Sequence, residues 1–293
     1  MPDAHQSESR LGQLPFVCLL LFIAVTPRAV ANESLGQISS TDITRSVVSS
    51  LPQLQGKSAD VIAHMDLTQP FETQTQWTFV AAILPGSHFS GAEEQPVDGG
   101  ELAECFIDKL ASHCRYKPQN DSDRYSTPIE LYSAKVVFAD ANNTRPLLLI
   151  KTGSAHAANG GHSIFTELFT YDRQLNEFQS VFSNATSSNN NQETRFIEEG
   201  PLRGDVIVAV PTSSAPFGFW ISVYAWNTKD GYSRSTLRYR SATHYGDGNP
   251  LAVIDSEMPG IFRRMGLWRP GDPLPAPPGC SRPVLRHGEQ WCQ

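Results

Sequence analysis

Two carboxylates, Asp255 and Glu257, stand two residues apart in the segment VIDSEMPG. In an extended strand that spacing puts both on one face, roughly 6–7 Å apart. Carboxylates so paired can divide acid and base work on a glycosidic bond. Glu193 is a third candidate acid, with Arg195 beside it in NNNQETRF. The competing reading is an ion pair in which Arg195, Arg263 or Arg264 supplies the cation. Neither reading has a nucleophile to draw on. The chain contains no G-x-S-x-G elbow, and none of its cysteines outside the first 31 residues sits in a catalytic motif.

A second group of residues offers binding chemistry. His156 and His162 bracket the glycine-rich run HAANGGH, which follows a strand. Glycine lets backbone approach a ligand closely, and two imidazoles can hold a metal or pass a proton near neutral pH. The H-x₅-H spacing is not helical and no third ligand is apparent, so exposed loop histidines are the alternative. His156, His162, Glu193 and Arg195 are the candidate binding residues. Asp140 with Asn142, and Asp247 with Asn249, place oxygen ligands at alternate positions of a turn, as a hard cation such as calcium accepts. The D-x-N leading into a strand resembles the calcium loops of integrin-type propeller repeats, without the further acidic residues of those loops. The simpler account is an Asx-turn, in which the side chain bonds its own backbone. Calcium is the one cofactor these residues suggest.

The elements that must position these side chains read as strands. Aromatic and β-branched segments broken by Gly, Pro and Asn run over Gln76–Leu84, Glu130–Phe138, Leu147–Thr152, Ile164–Tyr171, Glu177–Phe182, Asp205–Val210, Phe219–Trp226, Tyr232–Tyr239 and Leu251–Asp255. Residues 184–193 are too polar to pack and read as a long loop. Short strands without intervening helices indicate an all-β fold. Leu168-Phe169-Thr170-Tyr171 and Val223-Tyr224-Ala225-Trp226 each close a strand before a polar turn, about 55 residues apart. The strand before each also repeats, Leu147–Thr152 against Asp205–Val210. Strand groups returning at such intervals suit a β-propeller-like array of about five blades, with a β-sandwich as the alternative.

Residues 1–31 read as a signal peptide: Arg10, an apolar run from Leu14 to Val25, and small residues at Ala29 and Ala31. A twelve-residue apolar helix spans about 18 Å, short of a hydrocarbon core of ~30 Å, so cleavage is expected rather than a membrane anchor. Residues 32–70 read as a loose leader with a short helix, capped by Ser58 and running through Val61, Ile62 and Met65. Residues 71–267 are the all-β domain, and 268–293 a Pro-rich tail pinned by a disulfide. Cys105, Cys114, Cys280 and Cys292 remain after cleavage, and an exported chain with four cysteines suggests two disulfides. Three connectivities exist; the local pairs Cys105–Cys114 and Cys280–Cys292 are favoured.

With 23 basic against 30 acidic residues the net charge is −7, which argues against binding nucleic acid through phosphates. Charged residues are 18% of the chain and hydrophobic ones 40%, which excludes a wholly disordered protein. The expectation is a periplasmic or secreted, non-catalytic binding protein that presents loops of a rigid scaffold to a protein or glycan. A glycan-directed hydrolase and a calcium-stabilised module are the competing classes.

Overall fold

The β-branched and aromatic runs form strands, and turns at Gly and Asn fold them into successive meanders. The computed structural model describes residues 40–51, 59–84, 100–108, 112–115, 126–157, 160–213 and 216–293. The expected signal peptide, residues 1–31, lies outside the described residues, as does Ser58. Sheet A contains β1 (Asp60–Asp66), β2 (Thr78–Leu84), β3 (Glu101–Ile107) and β4 (Ser112–Arg115). Sheet B contains β5 (Pro128–Phe138), β6 (Pro146–Ser154), β7 (Ser163–Asp172) and β8 (Glu177–Ser187). Sheet C contains β9 (Glu193–Phe196), β10 (Val206–Pro211), β11 (Gly218–Tyr224) and β12 (Leu237–His244). Each sheet is antiparallel with its strands in chain order. The helices are α1 (Ser40–Ser50), α2 (Thr68–Phe71) and α3 (Val253–Arg264); a hairpin of β13 (Pro283–Arg286) and β14 (Glu289–Cys292) follows.

These elements stack in layers. Helix α1 lays Ile43 and Val47, with Leu51 just beyond it, on Val80, Ala82 and Cys105 of sheet A. The opposite face of A presents Phe79, Leu102 and Phe106 to Leu148, Ile150 and Phe169 of sheet B. The other face of B presents Leu147, Leu149, Leu168 and Phe182 to Phe196, Val206 and Val208 of sheet C. The far face of C, with Ile207, Ile221 and Val223, is covered by Val253, Ile254 and Ile261 of α3.

This arrangement corrects the all-β expectation. The fold is mixed α/β, and the outer faces of the first and last sheets meet helices rather than each other. Among the described residues no sheet closes into a barrel or propeller, and three stacked sheets are not a two-sheet sandwich. The sequence repeat is nonetheless expressed, since β6–β7 and β10–β11 are the second and third strands of consecutive meanders.

Four local readings change as well. Val61 to Met65 belong to strand β1, paired with β2, instead of a helix. Leu251–Asp255 runs into α3: Val253, Ile254, Glu257 and Ile261 fall on one helical stripe facing sheet C, and a glutamate on that stripe disguises its period. Strand β8 continues to Ser187, so the polar stretch is cut to a short turn before β9. The expected strand Tyr232–Tyr239 begins only at Leu237; Tyr232 is a buried turn residue whose hydroxyl donates to Gly204 O at 2.5 Å.

Both local disulfides, Cys105–Cys114 and Cys280–Cys292, are present. The first joins register partners of β3 and β4. Among the described residues no helix is long and apolar enough to cross a membrane.

Two carboxylates, Glu104 and Glu167, are buried between sheets A and B beside the half-exposed Arg115. Glu104 lies between Leu102 and Phe106 on the B-facing side of β3 and is 5% exposed. Arg115 Nη2 donates to Glu167 Oε1 at 2.7 Å, but its Nη1 is 4.0 Å from Glu104 Oε2. One arginine therefore serves two carboxylates, and Glu104 Oε1 has no hydrogen-bond partner. Burial, and then the Glu167 charge, push the Glu104 carboxyl up to about 7 against the pull of Arg115. A carboxyl raised on folding contributes its stability fully below its unfolded pKa and loses it as pH rises to the folded value. Unfolding free energy should thus fall by on the order of 3 kcal/mol between about pH 4.5 and pH 7.5 through this group. Glu104→Gln should flatten that slope, as denaturant unfolding of both proteins across the same pH range will measure.

Candidate functional site

Glu193 and Arg195 alternate along β9 on the face turned toward α3, while Thr194 and Phe196 turn toward sheet B. The first turn of α3 brings Asp255 opposite. Arg195 Nη1 and Nη2 reach the two Asp255 oxygens at 2.6 and 3.0 Å, and Nε reaches Glu193 Oε1 at 2.6 Å. Burial works against the guanidinium charge, but bonds to Asp255 and Glu193 outweigh it and hold the pKa above its ordinary value. All three nitrogens of the guanidinium are engaged, so the fork acts as a clamp between α3 and sheet C.

Glu257 lies elsewhere. A helix turns about 200° over two residues, so the one-face geometry expected of a strand is lost. Glu257 is 2% exposed and faces β12. Its Oε1 accepts from the Ala242 and Thr243 amides and the Thr243 hydroxyl, each at 2.8 Å, and its Oε2 from Tyr239 Oη at 2.9 Å. Gly260, one turn on, allows this close approach: a Cβ there would meet Tyr239 Oη and Arg264 Nη1 at 3.3 Å. The two carboxylates expected to share one bond cleavage are each occupied in holding α3 in place. The ion pair with Arg195 is the reading that the geometry favours for Asp255.

Beside this clamp lies a cleft of about 340 Å³. Its walls are the β9 end and following turn, the outer side of α3 and the proline-rich tail. Ile197, Leu202, Met258 and Phe262 make it apolar, with Pro275, Pro277 and Pro278 opposite. Glu198, Glu199 and Asp255 are the acidic lining residues and Arg195 is the basic one. Gln290 of β14 is fully buried in the wall, its Nε2 donating to Pro275 O at 2.9 Å while its Oε1 has no partner. Sequence reasoning found Arg195 and Asp255 but missed the rest, because the cleft joins segments far apart in the chain.

The histidine loop forms a separate cluster. The His156 and His162 rings lie 4.2 Å apart between centroids. Tyr132 Oη is 2.7 Å from His162 Nε2, and His156 Nδ1 is 3.3 Å from Gly160 O. Tyr132 was not foreseen. It occupies a bulge of β5, where the pairing with β6 skips a residue between Leu131 and Ser133. The tyrosine then lies over Gly153 of β6, where a Cβ would come within 2.4 Å of its hydroxyl. Glu193 and Arg195 do not join these histidines.

The two candidate calcium loops hold Asx-turns. Asp140 accepts from the Asn142 and Thr144 amides at 2.9 and 3.0 Å and from the Thr144 hydroxyl at 3.1 Å. The Thr144 amide is the main cause that draws its pKa below the usual carboxylate value. Asp247 accepts from the Asn249 and His244 amides at 2.8 and 3.0 Å. Asn249 is itself committed, its Nδ2 donating to Ser256 Oγ and Gln290 O. Among the described residues no three His, Cys, Asp or Glu side chains converge as a metal-binding group.

Glu257→Ala should leave two amides and the Thr243 and Tyr239 hydroxyls without their acceptor and cost about 3–5 kcal/mol. Asp255→Ala should cost less, since Arg195 keeps Glu193. Urea unfolding of the two variants against the parent gives the comparison, and the reverse order would remove Glu257 as the main anchor of α3. No family model matches the chain, and no curated protein or solved structure is significantly similar to it.

Proposed function

We propose that the chain is an exported, non-catalytic binding protein whose cleft receives an apolar, N–H-bearing side chain of a protein partner. An apolar cleft whose charged lining is three carboxylates, Glu198, Glu199 and Asp255, against one arginine carries this reading. An N–H-bearing group would pair with those carboxylates while its apolar body packs on Met258 and Phe262. The volume suits one large side chain, within the range of small-molecule pockets. The excess of carboxylates over cations among the lining residues disfavours an anionic ligand. The apolar surface of Ile197, Met258 and Phe262 suits an apolar side chain of a protein segment better than a sugar ring bearing several hydroxyls.

The hydrolase alternative loses support because Asp255 and Glu257 are consumed in structural hydrogen bonds. Export is supported by the signal-like pattern of residues 1–31 and by two disulfides, which persist in oxidising compartments.

The test is titration of the isotope-labelled chain with an indole-bearing amide, benzylamine and the corresponding indole carboxylate, followed by amide NMR shifts. The amide and amine should give saturable shifts at Phe196, Met258 and Gln290, and the carboxylate should bind several-fold more weakly. Met258→Asp should abolish the response without unfolding the chain. No saturable shift at these residues up to the solubility limit would exclude the cleft as the binding site.

A further inference from the structure

We propose that Tyr132, His162 and His156 form a site for a divalent late first-row metal ion, with Cu(II) bound most tightly. The site shares no residue with the cleft and stands independently of it.

Two of the three ligand atoms are already at the separation of neighbouring ligands. Two cis ligands with bonds of about 2.0 Å at a right angle lie about 2.8 Å apart. Tyr132 Oη and His162 Nε2 are 2.7 Å apart. An ion bound by both displaces the proton that these atoms share and sits to one side of their hydrogen bond, each ring turning to aim its lone pair at it. With the phenol as donor, His162 offers the lone pair of Nε2. His156 has the same tautomer for a different reason: its Nδ1 faces the Gly160 carbonyl, which can only accept, so Nδ1 carries the hydrogen and Nε2 the lone pair. The exposed His156 ring, 4.2 Å from its neighbour, can swing to complete a three-ligand N₂O set.

The donor set also selects the ion. Calcium and magnesium prefer all-oxygen shells, whereas imidazole and phenolate in a tetragonal arrangement suit Cu(II), which heads the order of divalent affinities. Burial, and then the nearby Glu130 charge, hold the Tyr132 phenol protonated until an ion displaces the proton, and the same Glu130 charge favours a cation there. The β5 bulge and the missing Cβ at Gly153 are what place the phenol here.

The experiment is a Cu(II) titration of the full chain by calorimetry and electron paramagnetic resonance, with glycine as a competing chelator to suppress adventitious surface binding. One ion per chain, with hyperfine coupling to two imidazole nitrogens, is expected. His156→Ala and His162→Ala should each weaken binding at least ~10-fold. Tyr132→Phe should remove the phenolate-to-copper absorption in the visible. Gly153→Ala removes no ligand but should weaken binding by displacing the phenol. Calcium should produce no heat. His156 is exposed, so its variant should keep the fold even if His162→Ala does not. Absence of stoichiometric copper on the parent would overturn the proposal. Undiminished affinity in His156→Ala would do so too, since the ion would then sit elsewhere.

Discussion

Leu147 and Leu149 on one side of β6, with Leu148 and Ile150 on the other, leave the central sheet no face for water. A sheet apolar on both sides must be covered twice, and the chain does so with two further meanders. Each of those then has an outer face of its own to bury. Helix α1 solves this for sheet A and α3 for sheet C, and the stack ends there. The anchoring of α3 follows from the same demand. Its apolar stripe fixes where it sits, while Glu257 and the Arg195–Asp255 clamp fix its rotation and sliding on sheet C.

What could be read from the sequence follows from how local each signal is. The central strands β6, β7, β10 and β11 were legible, because runs such as LLLIKT and FWISVY carry β-branched and aromatic residues between clear turn signals. Their repetition was legible too, but repetition does not say how a stack ends. That depends on α1 and α3, both poorly marked. Ser-rich positions hide the Ile43, Val47 and Leu51 stripe of α1, and Pro259, Gly260 and a stripe-borne Glu257 hide α3.

The candidate sites were half visible for a related reason. Arg195 with Asp255, and His156 with His162, stood out as polar residues in unusual company. Tyr132 did not, since ELYSAKVVF reads as ordinary alternation and a bulge leaves no mark on composition. Gln290 and the proline wall meet α3 only through the tertiary fold. In both places the sequence showed the charged or titratable member of a cluster and concealed the side chain that completes it.

The helical ends of the stack have a consequence for how this architecture can change over time. Among the described residues each meander packs against the layer before and the layer after it, as units do in a solenoid, and α1 and α3 act as terminal caps. An extra meander spliced into the turn between β8 and β9 would find apolar neighbours on both sides and would leave the caps untouched. Lengthening such a protein by duplication therefore needs no redesign of its interior, whereas loss of either cap would expose a whole sheet face to self-association.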